Sequence, residues 1–158
     1  MFKRSYRKNI GLMAGVEFFA FLGITSFWIL FLSQNGMSLW QIGLLESIFH
    51  ATSVICEIPS GMLADRFSYK TNLYLSRIAG IVSSVLMLAG QGNFWIYALA
   101  MVISAWSYNF DSGTSAAMVY DSSLEAGLKE HYLSISSFMS GVAEATRSLG
   151  TVWAGFFV

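Results

Sequence analysis

Apolar residues run in long stretches along this chain, over 10–32, 39–62, 72–90, 94–118 and 135–158. Each is close to the ~20 residues a helix needs to cross a bilayer. The intervals are short and carry turn or polar residues: Ser33-Gln34-Asn35-Gly36, then 65–71, Gln91-Gly92-Asn93, and 121–134. The pattern predicts an all-α integral membrane protein of five helices forming one unit over 1–158, with no soluble domain or flexible linker.

Composition strengthens this reading. Of 158 residues, 55% are hydrophobic, 16% aromatic and only 11% charged, and the mean hydropathy is +0.58. Soluble domains average about 25% charged residues. So few charges cannot solvate the surface of a soluble protein, whereas lipid needs no polar covering. Cys56, the single cysteine, cannot close an internal disulfide. No Cys or His spacing resembles a metal site, and neither a cofactor nor nucleic acid is implied.

The net charge is zero but unevenly placed, because Lys3, Arg4, Arg7 and Lys8 precede the first span. With the amino terminus inside, Arg66, Lys70 and Lys129 fall on the same side, and the two outer loops hold no Lys or Arg. The expectation is a multi-pass plasma-membrane protein with a cytoplasmic amino terminus. A cleaved signal peptide fits poorly, since the first run is too long, lacks an A-x-A exit and is followed by four more spans. Trp28, Trp40, Trp95 and Trp153 fall toward the outer ends of their spans, and Tyr6, Tyr69, Tyr74, Tyr120 and Tyr132 toward the inner ends. Two belts of amphipathic rings suit the headgroup levels of that topology.

The loop between the second and third spans reads Gly61-Met62-Leu63-Ala64-Asp65-Arg66-Phe67-Ser68-Tyr69-Lys70, preceded by Glu57-Ile58-Pro59-Ser60. It resembles the major facilitator superfamily signature G-x-L-A-D-R-x-G-R-K, carried here by Gly61, Leu63, Ala64, Asp65, Arg66 and Lys70. Gly61 would allow close helix contact, and Asp65 would offer an anion to helix-end amides and nearby cations. The stretch 112–124 also looks like the inner end of the fourth helix in some bacterial members. Three positions depart from the pattern: Ser68 replaces a glycine, Tyr69 a basic residue, and Asn109 stands where the fourth helix often has arginine. Arg66 or Lys70 is left to pair with Asp121. In the fifth span the exporter-type G-x-x-x-G-P-x-x-G-G is faint around 150–155 and lacks its proline, so direction is not legible.

The resemblance implies a secondary active transporter of a small molecule, built from two six-helix bundles that rock about a midplane site, with proton coupling and efflux as options. Five spans are an incomplete first bundle. The expectation is an amino-terminal fragment, inactive alone, whose partner is a carboxyl-terminal bundle. The alternative is a small membrane-embedded protein that binds partner helices and transports nothing.

An ionisable residue at a span centre costs about 2.5 to 3.5 kcal/mol on insertion scales, so each needs a partner, water or a function. Three spans carry one polar stripe each: Glu46, His50, Ser53 and Glu57; Ser104, Tyr108, Asp111 and Ser115; Ser140, Glu144, Arg147 and Thr151. The third carries only Arg77 and is expected to be the most lipid-exposed. Glu17, Asp111, Glu144 and Arg147 are the leading candidates for coupling or the substrate path. Glu17 lies on an aromatic face with Phe21 and Trp28, where desolvation favours the protonated acid. Glu144 and Arg147 also fit a structural ion pair one turn apart, and Asp111 fits either a cation, such as Arg147, or a capping role. Glu46, His50, Glu57, Asn109 and Asp121 rank lower, His50 as a packed polar residue. Gly11, Gly15, Gly141 and Ala145 read as close-packing surfaces. No nucleophile elbow, H-E-x-x-H or P-loop occurs, so the chain does not read as an enzyme.

Overall fold

The computed structural model describes residues 3–21 and 27–155, with side chains at 8–19, 27–63 and 66–153. Among these residues the chain is helical, without strands. The helices are α1 (Lys3–Phe21), α2 (Trp28–Gln34), α3 (Leu39–Arg66), α4 (Tyr69–Ala89), α5 (Phe94–Glu125) and α6 (Tyr132–Gly155), with a 3-10 turn at Lys129–His131. The first apolar stretch is covered by α1 and α2, and residues 22–26 lie outside the described residues. The fourth apolar stretch is α5, which runs past 118 to Glu125, where the Ser123 hydroxyl turns back to donate to the Val119 carbonyl at 2.8 Å.

Local chemistry fixes the ends. Ser38 and Gln41 form a capping box at the start of α3: Ser38 Oγ accepts from the Gln41 N–H at 3.3 Å, and Gln41 Oε1 accepts from the Ser38 N–H at 2.9 Å. Ser68 caps α4 by accepting from the Thr71 N–H at 3.3 Å. The ends of α2 and α5 close through Gly36 and Gly127, at φ 85° and 72°. There the Met37 N–H reaches the Leu32 carbonyl and the Leu128 N–H reaches that of Ser123, a pattern needing a left-handed residue that glycine supplies without strain.

The chain divides into two compact units, residues 1–28 with 116–158, and residues 29–115. In the first, α1 packs on α6, with Met13, Val119, Met139 and Ala143 buried. Thr146, also buried, satisfies its hydroxyl on the Val142 carbonyl at 2.7 Å.

The second unit buries Leu32, Ile42, Leu45, Tyr97, Met101 and Phe110. Its α4–α5 seam is polar and tight. Ser76 Oγ donates to the Ser107 carbonyl at 2.9 Å, Ser107 Oγ donates to the Ser76 carbonyl at 2.8 Å, and Ser83 Oγ donates to the Ala100 carbonyl at 2.8 Å. A β-carbon on Gly80 would stand 3.2 Å from Ser107 Oγ, so small residues let the backbones approach. The expectation that the third span carries only Arg77 as a polar residue is thus corrected: Asn72, Ser76 and Ser83 are buried on one face of α4. The opposite face exposes Tyr74, Ile78, Ile81, Val85 and Leu88.

Among the described residues two helices, α3 over Leu39–Leu63 and α4 over Tyr69–Ala89, are long and apolar enough to cross a membrane. Only 17% of either apolar stretch is buried within the chain. The core helix of a soluble protein hides such a surface; here Val54, Ile55, Ile58 and Met62 of α3 are all exposed.

Candidate functional site

Two residues apart on α5, Asn109 and Asp111 carry polar groups to two different helices. Asn109 faces α3, where its Nδ2 donates to the Ser53 carbonyl at 2.8 Å and its Oδ1 accepts from Ser53 Oγ at 2.7 Å. Both ends of the amide are therefore used on one residue. Asp111 faces α4, where its carboxylate meets Arg77 at 3.0 Å and also accepts from Ser115 Oγ at 3.2 Å. The pair is partly buried, with side chains 42% (Arg77) and 26% (Asp111) exposed. The cation that serves Asp111 is on the neighbouring helix; Arg147 pairs elsewhere.

Of the α3 stripe, Ser53 makes the contact with α5 described above, while Glu46, His50 and Glu57 are partly or fully exposed. His50 Nε2 and Glu46 Oε1 lie 3.2 Å apart, one helical turn from each other. Rather than being packed, the imidazole is 66% exposed. It meets the Phe49 ring edge-on at 5.3 Å between centroids, and Phe49 meets Tyr108 of α5 at 6.1 Å. Glu57 lends its backbone carbonyl to Ser60 Oγ at 3.0 Å, close to Pro59, which supplies no N–H to the helix.

On α6, Glu144 and Arg147 form a local pair at 3.1 Å with both side chains largely exposed. The geometry is that of the structural ion pair one turn apart. Ser148 and Thr151 return their hydroxyls to the carbonyls of Glu144 and Arg147. Glu17 of α1 and Asp121 of α5 are half-buried.

The signature segment straddles the α3–α4 junction. Arg66 closes α3 and is exposed, Leu63 is half-buried, and Lys70 stands 5.7 Å from the Tyr74 ring centroid. The side chains of Ala64 and Asp65 lie outside the described residues. Gly61 is exposed, and among the described residues a β-carbon there would meet nothing within 4 Å, so the expected close contact is not made among them. The same holds for Gly11, Gly15 and Gly141.

Sequence reasoning missed the α4 seam, although Asn72, Ser76, Gly80 and Ser83 follow the i, i+4, i+8, i+11 spacing of one helix face. It also missed that Ser68, a departure from the signature, is the N-cap of α4.

Comparison with known proteins adds a second line of argument. No solved structure matches the chain. An uncharacterized MFS-type transporter of Bacillus subtilis (strain 168), YxaM, is 33% identical over 94 residues. That alignment covers 59% of this chain and 23% of the relative. Residues 14–110, which take in the second half of α1 from residue 14, all of α2, α3 and α4 and half of α5, match the MFS_1 like family. The chain belongs to the MFS_1 like family.

Proposed function

We propose that this chain supplies helices of the first bundle of a major facilitator transporter, embedded in the plasma membrane with its amino terminus in the cytoplasm. The complete protein carries a small molecule by secondary active transport. The carrying observation is the family match over 14–110, a stretch that includes residues 61–70 between α3 and α4, two helices long and apolar enough to cross a membrane. Five spans agree with the apolar stretches and with the bias of Lys and Arg to one side. The exposed apolar faces of α3 and α4, and the exposure of Trp40, Trp95 and Trp153 near helix ends, suit lipid and its interface.

Proton coupling extends this reading to the half-buried acids Glu17 and Asp111. Two bundles rocking about a midplane site would require a carboxyl-terminal partner bundle. The test is transport by the complete gene product in inside-out vesicles, read with a pH-sensitive dye after the proton gradient is established. Compounds of a chemically diverse panel are added singly. A compound-dependent collapse of the gradient that vector-only vesicles lack is expected; no response across the panel, with the protein present in the membrane, would count against the reading.

A further inference from the structure

Glu46, the half-buried Phe49 and the exposed His50 of α3 form a continuous group with the exposed Tyr108 of α5. The carboxylate touches the imidazole at 3.2 Å, the imidazole ring lies 5.3 Å from Phe49, and Phe49 lies 6.1 Å from Tyr108. One turn further along α3, the paired Ser53–Asn109 hydrogen bonds tie the two helices together, so the rings are held by a fixed interhelical contact. Glu46 is 46% exposed, His50 66% and Tyr108 58%.

Depth makes this group unusual. At 1.5 Å per residue, Glu46 and His50 stand about 10 and 16 Å along α3 from its first residue, inside the apolar stretch Leu39–Leu63. An exposed carboxylate at that depth does not face hydrocarbon; it faces water or a ligand. Its partner also differs in kind from those of Asp111 and Glu144. Asp111 has Arg77 and Glu144 has Arg147, whereas Glu46 meets the His50 imidazole and no lysine or arginine among the described residues. A carboxylate beside π-faces is what attracts an organic cation, through charge and ring quadrupole together.

We propose that Glu46, with the rings of Phe49, His50 and Tyr108, is a binding site for an organic monocation. This rests on the reading of α3 as a membrane span and gives the transported molecule a chemical class.

The experiment is equilibrium dialysis of the purified full chain in detergent micelles, with phenyltrimethylammonium as the probe. Saturable binding is expected, about tenfold or more weaker in Glu46→Gln, several-fold weaker in Tyr108→Leu, and unchanged in Glu130→Gln on the exposed 3-10 turn. Glu46→Asp keeps the charge and retains part of the affinity. Tert-butylbenzene, of the same shape without charge, should not displace the probe. Absence of saturable binding to a chain of native helicity would overturn the proposal, as would undiminished binding by Glu46→Gln or displacement by tert-butylbenzene. If Glu46→Gln loses helicity, Tyr108→Leu and the tert-butylbenzene competition still decide. Dialysis needs no transport. A chain that binds the cation, in a gene product that moves nothing, would overturn the transport reading alone.

Discussion

Arg77 of α4 and Asp111 of α5 meet at 3.0 Å across a seam otherwise closed by serine hydroxyls and backbone carbonyls. Neither charge is fully exposed, so the pair sits between the regimes of a surface bridge and a buried one. Asp111→Ala should destabilise the chain by about 1–3 kcal/mol, chiefly by leaving Arg77 partly desolvated and unpaired. Arg77→Met in the same chain should recover part of that loss. Thermal unfolding in detergent, followed by helicity, completes the double-mutant cycle; strictly additive effects would mean that the two residues do not interact.

Tyr97 is fully buried, its hydroxyl accepts from the Gly92 N–H at 3.0 Å, and its ring occupies the space where a β-carbon on Gly90 would stand. Gly90→Ala should therefore cost about 1–3 kcal/mol, because the ring must move in a packed core. Tyr97→Phe keeps the ring and should cost about 1–2 kcal/mol for the orphaned N–H. Denaturant midpoints of the two variants check both values.

Ser68 gives an unusually clean comparison, since the signature has glycine at this position. Ser68→Ala should destabilise by about 1 kcal/mol through loss of the cap on the Thr71 N–H, while Ser68→Gly should cost only a few tenths. Equal losses in the two variants, measured by thermal unfolding, would remove the cap from the account.

Transport by the complete gene product gives the test of Glu17. Glu17→Gln preserves shape but cannot ionise, so gradient-driven accumulation should be abolished while counterflow survives. Full retention of accumulation would remove Glu17 from coupling and move attention to Asp111. Glu144→Gln is the comparison, since it removes the ion pair with Arg147 at 3.1 Å without touching Glu17.

How much of this was legible follows from the kind of signal each feature leaves. The helices α3 and α4 announce themselves by apolar length, and the Glu144–Arg147 pair by its spacing. The α4 seam was obscured because serine is nearly neutral in hydropathy, so Ser76 and Ser83 do not stand out as charged residues do. Which way a stripe faces depends on its neighbour, which no single-helix pattern records. In the α3 stripe Ser53 reaches across to α5, whereas Glu46 and His50 remain on an exposed side. The partner of Asp111 was hidden for the same reason, since Arg77 lies 34 residues away on another helix.

The central claim is that the chain threads a membrane with the α3–α4 junction in the cytoplasm. Single cysteines introduced at Asn35, Asn93 and Ser68, after replacing the buried Cys56 with alanine, test it directly. In intact cells an impermeant thiol reagent should label the first two, and should label the third only after permeabilisation. Labelling of Ser68→Cys in intact cells, with Asn35→Cys and Asn93→Cys protected, would contradict the orientation, and equal labelling of all three without a membrane-bound pool would contradict the spans themselves.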